Sequence, residues 1–362
     1  MQFIDLKQQY QLIKQDVQNE INQVLESGQY IMGDKIPQLE QILAEYTGAK
    51  HCIGVCDGTK AILMALMALG IKAGDEVIVP AFTFIATASM VALAGATPVF
   101  ADIDPKTYNL DPNKLENLIT SRTKAIIPVS LYGQCADLDP INALATKYNL
   151  AIIEDGAQSF GATYQGKHSG NLSTIATTSF FPSKPLGCYG DGGAVFTNDD
   201  ELAQKLRWIR VHGQDKRYHH ALLGINGRLD TLQAAILLAK MRIFPQEVIL
   251  RQQVAKRYDQ LFANSNCITP FIADNCTSVY AQYTLVVEDR NGLINHLKAN
   301  NIPTAVHYPI PLHKQPIFLD NYQGQDLSVS ERIAAQVVSL PMHPYLDHAT
   351  QDQIVAVVKQ FI

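Results

Sequence analysis

The chain has 362 residues, 47% of them hydrophobic and 17% charged, with a formal net charge of -5. That length exceeds one compact core of ordinary size, so two domains are expected. No Lys/Arg run and no basic stripe interleaved with aromatics appears, which argues against a nucleic-acid partner.

In chain order, apolar periodicity predicts helices over 11–27, closing at Ser27-Gly28, and over 37–46. Strand and helix signals then alternate. Strands are predicted at 51–55, 76–79, 97–101, 125–129, 150–153, 176–180 and 194–197. Helices are predicted at 60–69, 115–119, 140–148, 199–210 and 231–243. Near-continuous apolar strands separated by helices indicate a mostly parallel sheet covered on both faces, an α/β fold. After about residue 245 the pattern changes. A helix at 247–262 leads to an alternating strand at 279–287, a helix at 292–300, a proline-rich stretch at 303–316 and a final helix at 350–361. The expected division is a large domain over 1–245 and a smaller α+β domain over 246–362.

Val77 to Ala101 carries no formal charge and is long enough to span a bilayer. Pro80, Gly95, Pro98 and its hydroxyl residues instead indicate a strand, a turn, a small-residue helix and a second strand. No membrane association is expected. The N-terminus is polar and lacks a signal-peptide core. Six scattered cysteines form no CxxC pair, and His212, His219 and His220 have no matched acidic ligands at metal spacing. Buried thiols, no metal site and a reducing cytoplasmic location are expected.

Lys184 is the only formally charged side chain between His168 and Asp191. Apolar, glycine-rich surroundings favour loss of its proton, and a neutral amine is what Schiff-base chemistry requires. Leu150-Ala-Ile-Ile-Glu-Asp155 reads as a buried strand ending in acid, where open α/β sheets bind ligands. Asp57-Gly58-Thr59-Lys60 joins a strand to a helix, which makes either an anion site or a capped turn. Asn226-Gly-Arg228 precedes a helix, and its arginine suits a carboxylate or phosphate. His307, Tyr308 and His313 lie on a proline-stiffened loop. No P-loop, nucleophile elbow or Rossmann glycine fingerprint is present.

Together, Gly58-Thr59, Pro80-Ala-Phe-Thr-Phe84-Ile-Ala-Thr87, Glu154-Asp155-Gly-Ala-Gln158, Ser179-Phe-Phe-Pro-Ser-Lys184, Gly190-Asp-Gly-Gly193, Asn226-Gly-Arg228 and Gln233-Ala-Ala235 resemble the nucleotide-sugar aminotransferases of the DegT/DnrJ/EryC1/StrS type. These are fold-type I enzymes that use pyridoxal phosphate (PLP). Tyr132-Gly-Gln-Cys-Ala-Asp137, the segment Phe180–Gly190, His212-Gly-Gln-Asp215 and His307-Tyr-Pro-Ile-Pro-Leu312 resemble one member group. That group aminates a UDP-linked 2-acetamido-3-keto-hexuluronic acid for bacterial surface polysaccharide, including O-antigen of lipopolysaccharide.

The resemblance implies that Lys184 holds PLP as a Schiff base and acts as the catalytic acid–base. It implies Asp155 on the pyridinium nitrogen, Gln158 beside the ring, and Phe84 stacked on it. Gly58, Thr59 and Ser179 would bind the phosphate, with Asn226 arriving from the second subunit of a homodimer. Ser183 and Tyr308 are further candidates near the cofactor. Arg228, His307, Tyr308 and His313 would meet the substrate, the arginine at a uronate carboxylate. L-Glutamate would be the amino donor in a two-half exchange. The family often has asparagine before the Gly-Thr pair; here Asp57 stands there, tolerable beside a phosphate where it caps the helix. Other readings are an aminotransferase for a 4-keto-6-deoxy nucleotide sugar, a non-catalytic PLP or sugar-nucleotide binding protein, and a dehydratase. Related dehydratases carry histidine where this chain has Lys184.

Overall fold

The computed structural model describes residues 1–322 and 324–362. Two N-terminal helices, α1 (Leu6–Ser27) and α2 (Lys35–Thr47), precede the sheet. Then follow β1 (His51–Val55), α3 (Gly58–Ala68), β2 (Glu76–Pro80), α4 (Ala86–Leu93), β3 (Thr97–Ala101), β4 (Thr123–Ile126), α5 (Leu138–Tyr148) and β5 (Ala151–Asp155). A small ribbon, β6 (Thr163–Tyr164) and β7 (Lys167–His168), leads to β8 (Ile175–Ser179), β9 (Gly193–Thr197) and α6 (Asp200–Ile209). A second ribbon, β10 (Gln214–Lys216) and β11 (His219–His220), precedes α7 (Thr231–Met241) and α8 (Phe244–Phe262). The chain finishes with β12 (Tyr283–Val286), α9 (Arg290–Ala299), α10 (Ser328–Gln336), β13 (Val337–Leu340) and α11 (His348–Lys359).

Seven strands form the central sheet in the order β1-β9-β8-β5-β4-β2-β3. Only β9 runs against its neighbours, pairing antiparallel with β1 and β8. The sheet is therefore mostly parallel, as its apolar strands require: such strands need cover on both faces. Alternation along each strand supplies two cores. Ile78, Ile126, Ile152 and Phe196 enter one. Val77, Val79, Ile127, Ile153 and Val195 enter the other. Helix α7 is buried along nearly its whole length, because α1 covers its outer side through Ile13 and Val17 against Ile236 and Ala239.

The C-terminal core joins Tyr258, Phe262, Tyr283, Leu293, Val338 and Ile354. Helix α8 spans the expected cut at residue 245. Phe244 and Val248 belong to the large core, whereas Val254 onward packs in the C-terminal one. Leu312, Phe318 and Leu327 return to the large core, so the two cores interleave along the chain.

Three features differ from the sequence expectation. The strand at 125–129 ends at Ile126, and Val129 only bridges Asp155. The helix at 115–119 is a single 3-10 turn at Glu116–Leu118. Strand β13 pairs with β12, a partnership that no local pattern announced. Among the described residues, no helix is long and apolar enough to cross a membrane, and no cluster of His, Cys, Asp or Glu could hold a metal ion.

Candidate active site

A pocket of about 440 Å³ opens at the carboxyl ends of the parallel strands, where β1, β5 and β8 end. At its base, β1 turns into α3. Asp57 caps that helix: its Oδ1 accepts from the Lys60 N–H at 2.7 Å, and its Oδ2 meets Lys60 Nζ at 2.6 Å. Burial pulls its pKa up, but these Lys60 contacts outweigh that and hold the carboxyl below its usual range. The acid before the Gly-Thr pair is thus engaged by the helix it caps.

Gly58 touches Ser179 so closely that a Cβ would lie 2.6 Å from the serine Cβ. At Gly193 a Cβ would come within 2.7 Å of the Asp57 carbonyl carbon. The two glycines let the start of α3 press against β8 and β9. The free N–H groups of a helix start, with the Ser179 hydroxyl alongside, form a cradle for an anion.

Asp155 ends β5 and is buried, only 5% exposed. Its Oδ2 accepts from Thr87 Oγ1 at 3.1 Å, and its Oδ1 from the Ala157 N–H at 3.1 Å. Burial raises its pKa, while the Ala157 N–H, the Lys184 charge and Thr87 pull the other way. Lys184 sits in the turn after β8, its N–H bonded to the Phe181 carbonyl at 2.8 Å. Its ammonium has no hydrogen bond among the described residues. Burial lowers its pKa, and Asp155 partly opposes the shift.

Gln158 accepts from the Tyr132 N–H at 3.0 Å and donates toward Tyr308 Oη at 3.4 Å. Phe84, 51% exposed at the mouth, lies 5.8 Å from the Tyr308 ring. His307 Nδ1 is 3.3 Å from Ser339 Oγ, which lies 2.9 Å from Thr284 Oγ1. Burial, then the Lys184 charge, lowers His307 to about 4, so its imidazole is neutral at neutral pH.

The pocket therefore brings together Gly58, Thr59, Phe84, Asp155, Gln158, Ser179, Ser183, Lys184, His307 and Tyr308. Asn226 and Arg228 are elsewhere. They line an adjacent cleft of about 460 Å³ that shares Asp57 and Asp191 with the pocket. His313 requires correction as a substrate contact. It is 2% exposed, packed 5.2 Å from the Tyr322 ring and 6.4 Å from Phe100, with Nε2 3.0 Å from Glu331. A proline-stiffened loop places only its first histidine at the pocket. Sequence reasoning missed Thr83, Asp191 and Gln282 as lining residues and Thr87 as the partner of Asp155. Thr83, Thr87 and Asp191 belong to the motifs that carry the family resemblance. Gln282 carried no local signal.

The chain matches the model of the DegT/DnrJ/EryC1/StrS aminotransferase family over residues 11–359. It belongs to that family. It is 60% identical, over 97% of each chain, to a Pseudomonas aeruginosa protein named UDP-2-acetamido-2-deoxy-3-oxo-D-glucuronate aminotransferase. A solved DegT DnrJ EryC1 StrS aminotransferase from Brucella abortus superposes with TM-score 0.97 at 43% identity, covering 100% of this chain and 99% of that one. A Bacillus subtilis structure with bound cofactor PMP matches with TM-score 0.90 at 33% identity, covering 98% and 82%. The protein is thus a sugar aminotransferase that uses pyridoxal phosphate. Its residues fit that group: the Gly58 cradle, which a Cβ would fill, suits a phosphate. A buried acid and a lysine of lowered pKa share the same pocket.

Proposed function

We propose that the protein moves an amino group from L-glutamate to the 3-keto carbon of a UDP-linked 2-acetamido-2-deoxy-3-oxo-hexuluronic acid, supplying an amino sugar nucleotide for bacterial surface polysaccharide. The observation that carries this choice is 60% identity across 97% of the chain to the P. aeruginosa 3-oxo-glucuronate aminotransferase.

Pyridoxal phosphate, when bound, supplies the electron sink for the exchange. Gly58, Thr59 and Ser179 would hold its phosphate, Asp155 would pair with its ring nitrogen, and Phe84 and Gln158 would lie beside its ring. Lys184 Nζ would hold the cofactor, and its amine is the group in the pocket that could accept and return a proton. Thr87 and the Ala157 N–H fix the Asp155 carboxylate at 3.1 Å each, so it need not reorient. His307, neutral and oriented through Ser339, offers a polar edge to the sugar. Asn226 and Arg228 line the cleft beside the pocket and serve the partner's pocket in a homodimer, the arginine at the uronate carboxylate.

The test follows the absorbance of the loaded protein. L-Glutamate should bleach the band of the lysine-linked cofactor. The 3-keto uronate nucleotide should restore it, and a 4-keto-6-deoxy sugar nucleotide should not. Recovery only with the 4-keto sugar would overturn the substrate. No response to glutamate would overturn the donor.

A further inference from the structure

Strand alternation divides the side chains at the start of β12. Tyr283, Leu285 and Val287 enter the C-terminal core. Gln282, Thr284 and Val286 turn the other way. Val286 packs with Phe82 and Tyr132 of the large domain. Thr284 joins the Ser339 hydroxyl that orients His307. Gln282 lines the active-site pocket with His307 and Tyr308.

Gln282 differs from its neighbours in having no hydrogen-bond partner for its buried Oε1 among the described residues. Thr83, in the loop after β2, is 2% exposed, lines the same pocket, and has an equally unpartnered Oγ1. Among the described residues these are the only two that both line the pocket and bury an unpartnered side-chain polar atom. A polar atom withdrawn from water without a partner is disfavoured, and such atoms in a binding pocket point to a ligand that pairs them.

The chemistry of the pair selects between the two substrates. A carboxamide and a hydroxyl are neutral, and each both donates and accepts. The carboxylates of glutamate only accept, and they favour cations. A sugar ring bearing hydroxyl and acetamido groups both donates and accepts. We propose that Gln282 and Thr83 form a hydrogen-bonding subsite for the hydroxyl or acetamido groups of the amino acceptor, with Gln282 a determinant of acceptor selectivity. This rests on the nucleotide-sugar reading above.

Titration calorimetry on cofactor-loaded protein tests it. The probes are UDP and UDP-2-acetamido-2-deoxy-glucuronate, whose C3 hydroxyl prevents turnover. Q282L and T83V should load cofactor and bind UDP as the parent does. Each should bind the UDP-sugar about tenfold more weakly, the loss expected for one hydrogen bond. T83S, which keeps the hydroxyl, should bind like the parent. Unchanged UDP-sugar affinity in Q282L and T83V would overturn the subsite. A parent that binds neither probe would overturn the nucleotide-sugar reading, and the subsite with it.

Discussion

Lys240 Nζ donates to the carbonyl oxygen of Gly187 at 2.5 Å, three residues beyond Lys184. The turn that carries Lys184 closes tightly there: a Cβ on Gly187 would lie 2.6 Å from the carbonyl oxygens of Phe181 and Pro182. Lys240 is 1% exposed and sits 4.3 Å from the Tyr189 ring centroid. Gln233, two turns earlier on α7, accepts from the Tyr189 N–H at 2.9 Å. One buried helix thus holds the exit of the lysine turn at two points. K240M leaves the Gly187 carbonyl without its donor. It should lower stability by about 1–3 kcal/mol in urea unfolding and reduce kcat with little change in KM. A variant with parental kcat would show that the turn holds its shape without this lysine.

Gly58 is the position where a single methyl group should damage the cofactor cradle. Its Cβ would meet Ser179 Cβ at 2.6 Å and Ser179 Cα at 3.1 Å. The start of α3 or β8 must shift to admit it. G58A should cost about 1–3 kcal/mol of stability and weaken PLP affinity measurably in equilibrium dialysis. Parental affinity would mean that the phosphate does not sit on this helix start.

His313 separates a structural histidine from a substrate one. Its ring fills a buried space beside Phe100 and Tyr322, and Glu331 bridges it and Lys314 at 3.0 and 2.7 Å. H313A should lower the melting temperature and leave KM for the sugar acceptor unchanged. A several-fold rise in KM with unchanged melting would restore it as a substrate contact.

His343 should set part of the acid sensitivity. It is 5% exposed, and burial, with Arg251 second, lowers it from 6.5 to about 4 despite Asp5 and Asp347. Between those values the unfolded chain binds the proton and the folded one does not, so stability falls as pH drops through that window. From pH 7 to pH 5 this group accounts for about 2 kcal/mol. Glu154 has the opposite sign. Burial raises it to about 7, against the pull of Ser169 and Gly170, so its contribution weakens as pH rises toward 7. The comparison of H343Q with the parent isolates the histidine. The drop in unfolding free energy between pH 7 and pH 5 should be smaller in the variant by about 2 kcal/mol. An equal drop would assign the acid sensitivity to other groups.

Much of this architecture is legible in the sequence because its carriers are local. Ile152 and Ile153 mark a strand covered on both faces, and Asp155 follows as its polar end. Lys184 stands out because no other formal charge lies between His168 and Asp191. What local pattern misses depends on contacts distant in sequence. The pairing of β12 with β13 joins residues more than fifty positions apart and exposes Gln282 to the pocket. The separation of His307 from His313 depends on Phe100 and Glu331 filling the space around the second ring. Asn226 and Arg228 line the adjacent cleft, where backbone bridges from Asn226 to Val211 and from Arg228 to Val55 fix their segment.

The most direct test of the account is the identity of the lysine that holds the cofactor. Borohydride reduction of the PLP-loaded protein fixes the cofactor to that lysine, and peptide mass spectrometry locates it. The added mass should fall on the peptide containing Lys184. Mass on Lys240, a buried lysine whose pKa is also lowered, or on Lys60 at the helix start, would contradict it.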